Sequence, residues 1–258
     1  MNREEAILRE LNLYPLWQRR GTAAPADAAA EAVPVLPAPP EGSRAGSEGE
    51  ASGAAIAREA PPQQGDTRRA QTISGLSWPE LKAMVRDCTA CKLRAGCTRT
   101  VFGVGDEHAG WLFVGEGPGA DEDAQGEPFV GQAGKLLDNM LLAIKLKRGS
   151  NTYIANVVKC RPPSNRTPEA DEIATCLPYL QRQIALIQPR LIVALGKTAA
   201  CALLGREATL GSLRGTVHDY HGIPLVITYH PAYLLRTPAD KAKAWEDLLL
   251  AVKTAGVD

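Results

Sequence analysis

Aromatic side chains are scarce in this chain, at 5% of residues, and only three of them are phenylalanine. A phenylalanine standing in a loop is therefore worth following. Histidine is scarcer still, with four copies, which leaves few groups for acid–base chemistry near neutral pH. Net charge is absent: 29 basic residues balance 29 acidic ones. The overall field thus predicts no polyanionic or cationic partner, and any such contact must be local. No apolar run approaches the roughly eighteen residues that cross a bilayer. Nor does the N-terminus combine a charged start, an apolar stretch and a small-residue cleavage site. Neither membrane insertion nor secretion is indicated, and a cytoplasmic location is expected. In that reducing compartment the six cysteines point to metal binding, catalysis or burial before disulfides.

The chain reads in three parts. Residues 1–20 hold a short amphipathic tail, with Ile7, Leu8 and Leu11 at helical spacing, a break at Tyr14-Pro15, and Leu16-Trp17 ahead of Arg19-Arg20. Residues 21–75 turn to Ala, Pro, Gly and Ser with scattered charge, a composition that cannot offset chain entropy and predicts a disordered linker. Order is expected from residue 76 to 258. "SWPE" supplies an N-cap at Ser77, a first-turn Pro79 and Glu80 at the capping-box position. Thereafter strands and helices alternate: "GWLFVG", "YIANVV", "RLIVAL" and "IPLVITY" read as strands, with helices between and after them. Such alternation predicts an α/β fold with a mostly parallel sheet covered on both faces, its function on the loops at the carboxyl ends of the strands.

Four such loops carry chemistry. "GEGPGADEDAQGEPFVGQAG" follows the first strand; its glycines at 115, 117 and 119 let backbone approach a ligand, but it is neither G-x-G-x-x-G nor a Walker loop. Phe129 within it is either a buried anchor or a stacking platform for a planar ligand. "KCRPPSNRTP" follows the second strand, where Asn156 either caps the structure or reads a base edge with its amide. The third strand leads into Gly196-Lys197-Thr198, a helix start able to offer donors to an anion. The fourth leads into "HPAYLLR", where His230 beside a rigid proline would by default pack or cap. Cysteines form a further pattern. "CTACKLRAGC" places Cys88, Cys91 and Cys97 within ten residues, with Cys160, Cys176 and Cys201 downstream. Four thiolates suit either an iron–sulfur cluster or zinc, and spacing alone does not choose between them.

Taken in order, "GEGPGADEDAQGEPFVGQAG", "NVVKCRPPSNRTP" and "TYHPAYLLR", with the cysteine pattern, closely resemble the family 4 uracil-DNA glycosylases, the iron–sulfur branch of the uracil-DNA glycosylase superfamily. The resemblance covers roughly Trp78 to Val257. It implies a three-layer α/β/α sandwich with a mostly parallel central sheet of about four strands. It also implies a monofunctional DNA-repair hydrolase that flips uracil from single- or double-stranded DNA and leaves an abasic site, acting as a bacterial, nucleoid-associated monomer. The implied cofactor is a [4Fe–4S] cluster held by Cys88, Cys91, Cys160 and Cys176, with Cys97 and Cys201 as bystanders.

The same resemblance assigns the site. Phe129 stacks on the flipped base, Asn156 bonds its polar edge, and His230 sits by the carbonyl where negative charge develops. Gly117 stands where the best-known branch has its aspartate, so Glu122, for electrostatic support or water activation, and Asn165, for positioning the water, are the catalytic candidates; Glu116 lines the pocket. Lys159, Arg161, Arg166, Lys197 and Arg236 are expected phosphate contacts. Leu234 is expected to fill the vacated stack, with Leu235 or Tyr233 as alternatives. A non-catalytic DNA- or replisome-binding protein on the same fold is the rival reading, set against these intact motifs. A relative that traps uracil through a histidine is disfavoured, because "CRPPSNRTP" contains none. Finally, "ILRELNLYPLWQRR" is similar to the short peptide by which the psi subunit of the bacterial replicative polymerase docks on the clamp loader, so residues 1–20 are expected to reach a replication partner.

Overall fold

The computed structural model describes residues 64–256; the tail at residues 1–20 and most of the linker lie outside them. Helix α1 (Gln64–Ser74) is followed by α2 (Trp78–Arg86) and the short α3 (Leu93–Gly96). The alternating part then runs β1 (Val104–Gly105), β2 (Trp111–Gly115), α4 (Ala120–Gln125), α5 (Gln132–Ala143), β3 (Thr152–Asn156), a 3-10 turn (Pro163–Asn165), α6 (Ala170–Ile187) and β4 (Leu191–Leu195). It closes with α7 (Lys197–Leu204), α8 (Leu210–Leu213), β5 (Val217–Tyr220), β6 (Ile223–Thr228), α9 (Pro231–Arg236), a second 3-10 turn (Pro238–Asp240) and α10 (Lys241–Ala255).

The sheet order is β1-β3-β2-β4-β6-β5. Its four central strands are parallel, as expected, but the sheet has six strands and not about four. β1 and β5 add antiparallel edges. Neither edge announces itself in sequence: β1 is two residues long, and three of the four residues of "VHDY" keep contact with solvent. The inner strands are buried on both faces, so they read as continuous apolar runs. Within β2 the two-residue period sends Leu112 and Val114 toward α1, α2, α6 and α7, and Trp111 and Phe113 toward α5 and α10.

The start of the fold differs from the expectation of a linker to residue 75. α1 is helical from Gln64, with Ile73 fully buried and Arg69 bonded to the Thr175 carbonyl of α6. Its composition resembles the linker because one apolar side chain and one arginine do the docking. α2 starts as its sequence predicts, with the Glu80 carboxylate accepting from the Ser77 backbone and hydroxyl at 2.8 and 2.6 Å. From β2 the chain crosses to β3 on one side and later returns to β4 on the other. The loops therefore part above β2, which opens a crevice at the carboxyl edge of the sheet.

Candidate active site

The crevice is a cavity of about 450 Å³. The loop after β2 contributes Glu116, Gly117, Glu122 and Phe129; β3 and its loop contribute Asn156, Asn165 and Arg166; the loop after β6 contributes His230 and Arg236. The first two loops leave the sheet side by side, with Val157 and Val158 donating to the Gly115 and Glu116 carbonyls.

Phe129 is the most constrained of these residues. Its φ is +56°, a left-handed conformation that costs a non-glycine residue on the order of 1 kcal/mol or more. Surrounding groups hold it there. Arg148, which drew no notice in the sequence, donates to the Pro128 and Phe129 carbonyls at 2.9 and 2.8 Å and pairs with Asp138. A Cβ on Gly134 would collide with the Phe129 carbonyl, and one on Gly115 would collide with both the Phe129 ring and the Asn156 amide. Glycine at these two positions is thus what lets the ring and the amide share one wall. The ring also stacks on His230, with centroids 5.5 Å apart at 29°.

Glu122 belongs to the same scaffold. Its Oε2 accepts from the Gly119 N–H at 3.0 Å, and its Oε1 from the Val130 and Gly131 N–H groups at 2.9 and 3.0 Å. These three bonds pin the two ends of the Phe129 loop together. Its neighbour Asp123 is also structural, accepting from Thr98 and Arg99. Glu116, in the crevice wall, accepts from the Thr198 hydroxyl at the start of α7 at 2.5 Å.

Asn156 ends β3 at 2% exposure, and its Oδ1 is buried without a hydrogen-bond partner. An orphaned buried acceptor of this kind costs on the order of 1–3 kcal/mol until something donates to it. His230 caps α9, its Nδ1 accepting from the Ala232 N–H at 3.1 Å. Burial lowers its pKa to about 4, and the positive charge of Arg236 adds to the effect. The ring is therefore neutral at pH 7, and with Nδ1 accepting, its proton resides on Nε2.

Several expected DNA contacts are placed otherwise. Lys159 is 1% exposed; its Nζ donates to the Asn156 carbonyl at 2.8 Å and to Gln183 Oε1 at 2.7 Å, so it cannot touch a phosphate. Burial drops its pKa to about 8. Leu234 is also packed, at 1% exposure, because the helix begun at His230 turns it inward, whereas Leu235 is 44% exposed. Arg161 lies off the cavity and donates to Asn165 Oδ1 at 2.7 Å. Arg166 lines the cavity, but its guanidinium is forked onto the buried Glu172 at 2.8 and 2.7 Å and holds that carboxyl down at about 2. Lys197 pairs with Glu207 on the surface, and Arg236 is exposed at the cavity mouth.

A second, smaller cavity lies beneath the loop after β3, lined by Cys88, Cys91, Cys160 and Cys176 with Lys159 and Tyr179. Burial raises the pKa of Cys91, Cys160 and Cys176, the last to about 11. Among the described residues no three His, Cys, Asp or Glu side chains gather closely enough to hold one metal ion. The four cysteines line one space, and a set of four thiolates fits an iron–sulfur cluster or a zinc ion. Cys97 is buried outside the lining, its sulfur accepting from Arg94 Nη1 at 3.6 Å; Cys201 lies elsewhere, near the Ala208 carbonyl.

The family model described as the uracil DNA glycosylase superfamily matches residues 102–249. The type-4 uracil-DNA glycosylase of Pyrobaculum aerophilum is 44% identical over 181 residues, covering 66% of this chain and 91% of that protein. The type-4 enzyme of Thermotoga maritima is 45% identical over 161 residues, 62% of this chain and 83% of its own length. A type-5 uracil-DNA glycosylase from P. aerophilum is more distant, at 32% over 148 residues, 50% of this chain and 64% of the relative. With its crevice at the sheet edge and these relatives, the chain belongs to the uracil-DNA glycosylase superfamily, in the type-4 family.

Proposed function

We propose that the protein is a DNA-repair glycosylase that extrudes uracil from DNA, hydrolyses its N-glycosidic bond and leaves an abasic site. The observation that carries this reading is the orphaned Asn156 acceptor, buried in a cavity whose side is closed by the stacked Phe129 and His230 rings. Uracil supplies the missing donor through its N3–H, and the flat ring fits against Phe129. The neutral His230 can then donate from Nε2 to a base carbonyl as the C–N bond breaks and charge moves onto the base. A donor already fixed in place needs no reorganisation at that moment.

The departing base leaves a cationic sugar that a water must meet from the opposite face. Asn165 orients that water, and Glu122 supplies electrostatic support while holding the Phe129 loop. Glu116, fixed by Thr198, shapes the cavity wall. Extrusion costs a few kcal/mol, and the exposed Leu235, in place of the packed Leu234, fills the vacated stack. Arg236 is the cavity-mouth charge best placed for a phosphate; Arg161 and Lys197 add weaker contacts.

The cysteine set supports a [4Fe–4S] cluster held by Cys88, Cys91, Cys160 and Cys176. Its contribution when bound is structural, four thiolate bonds joining the start of the fold to the loop after β3 and to α6; hydrolysis requires no electron transfer. No described helix is long and apolar enough to cross a membrane, and we place the protein beside DNA in a bacterial cytoplasm, acting as a monomer. Residues 1–20 serve as a tether to a clamp-loader partner. Pull-down of clamp-loader subunits by residues 1–25, lost on Trp17→Ala, tests the tether. The central experiment is uracil release from single- and double-stranded oligonucleotides by the purified full chain. Folded, iron-loaded protein that releases no uracil would overturn the enzyme reading and leave the non-catalytic one.

A further inference from the structure

Helix α1 precedes the residues matched by the family model, yet it is fixed beside the cysteine cavity. Arg69 does most of the fixing. Its Nη1 donates to the Thr175 carbonyl at 2.5 Å, its guanidinium lies over the Tyr179 ring at 4.8 Å from the centroid, and its Nη2 reaches the Cys88 sulfur at 4.0 Å. Tyr179, at 2% exposure, is itself part of the cavity lining.

Cys88 and Cys91 are the half-exposed members of the four-cysteine set, whereas Cys160 and Cys176 are buried. Water, chelators and oxidants would therefore arrive from the Cys88 side. Arg69, Tyr179 and Cys88 also share the wall of a shallow groove on that side. Only a planar, permanently charged group can lie on a ring face while donating in its own plane to a carbonyl and a sulfur; lysine would keep the charge and lose the fork.

We propose that Arg69 is an outer-sphere positioning residue for the iron–sulfur cluster, directing an N–H at the Cys88 sulfur and closing the exposed side of the cysteine cavity over Tyr179. This rests on the cluster reading given above. Hydrogen bonds and positive charge at a ligand sulfur raise a cluster's reduction potential, and exclusion of solvent protects it. Removing such an outer contact commonly weakens metal retention about 10- to 100-fold.

The test uses the full chain, anaerobically purified, as wild type, Arg69→Gln, Arg69→Lys and Ile73→Ala. The last loosens the same helix without removing the N–H. Iron content, midpoint potential and the rate at which the roughly 400 nm absorbance is lost to EDTA are measured. Arg69→Gln is expected to bleach about tenfold faster and to shift its potential downward, with Arg69→Lys between it and wild type. Ile73→Ala is expected to keep the wild-type potential, and fresh uracil release is expected to be unchanged throughout. Wild type isolated without iron would overturn the cluster reading and this proposal with it. An iron-loaded wild type whose Arg69→Gln variant matches it in potential and bleaching rate overturns this proposal alone. So does an Ile73→Ala shift equal to that of Arg69→Gln. Should Arg69→Gln fail to fold, a wild-type potential in Arg69→Lys decides against the proposal.

Discussion

Two cavities adjoin the loop that leaves β3, and they are organised differently. The base-sized crevice is finished by the chain itself: Glu122 and Arg148 lock the Phe129 loop, glycines at 115 and 134 admit the ring, and His230 is held by its own cap. The cysteine cavity holds four thiols, and burial opposes the ionisation of Cys91, Cys160 and Cys176. One is a preformed receptor. The other is a donor set that needs its guest. Lys159 joins them, with its Nζ on the Asn156 carbonyl and its N–H on the Cys176 sulfur at 3.3 Å.

The largest separation should come from the cysteines. Cys160→Ser is expected to lose the iron and the roughly 400 nm band, whereas Cys97→Ser, which alters only a neighbour of a ligand, keeps both; iron assay and absorbance decide. Next is Asn156→Ala, expected to slow single-turnover excision about 10²- to 10³-fold with the iron content unchanged. A parallel loss of iron would show that the two cavities are one unit.

Glu122→Gln and Asn165→Ala divide scaffold from chemistry. The glutamine keeps one carbonyl acceptor for three N–H groups, so it should lower stability by about 1–3 kcal/mol along with the rate. Asn165→Ala, at an exposed position with a left-handed φ of +55°, should lower the rate at a stability cost of only about 1 kcal/mol, as thermal melts and single-turnover rates would reveal.

The pH dependence sharpens the same contrast. His230 has its pKa depressed from 6.5 to about 4 in the fold, so the unfolded chain binds that proton more readily. Its contribution to stability is complete above about 6.5 and is withdrawn as pH falls through the window down to 4. Excision should persist at pH 5.5, and an acid limb near 6.5 in kcat/KM would contradict a neutral His230. The smallest effect on chemistry is expected at the leucines. Leu234→Ala should cost about 2–5 kcal/mol of stability with excision retained. Leu235→Ala should leave stability within about 0.5 kcal/mol and weaken excision on duplex more than on single strands.

The crevice was legible because its loops follow strands that announce themselves, because Asn156 and His230 are unusual at strand ends and Phe129 is rare in a loop, and because the resemblance gave those residues their roles. What escaped is whatever depth and direction decide. Lys159 looks like a surface charge until Gln183, from α6, is brought over it. Leu234 and Leu235 are equivalent as letters, and only the helical turn starting at His230 tells inward from outward. Arg148 acts on groups far off in sequence, and the edge strands and α1 lack the apolar patterning that marks their neighbours.

The position of the four cavity cysteines has a consequence for biosynthesis. Cys88 and Cys91 emerge from the ribosome before β1, β2, α4, α5 and β3, and Cys176 emerges only with α6. No metal group spanning all four can be seated until more than half of the chain has been translated. Under the cluster reading proposed above, any iron that arrives earlier than α6 meets a chain in which β2 and β3 have been made but the fourth ligand has not.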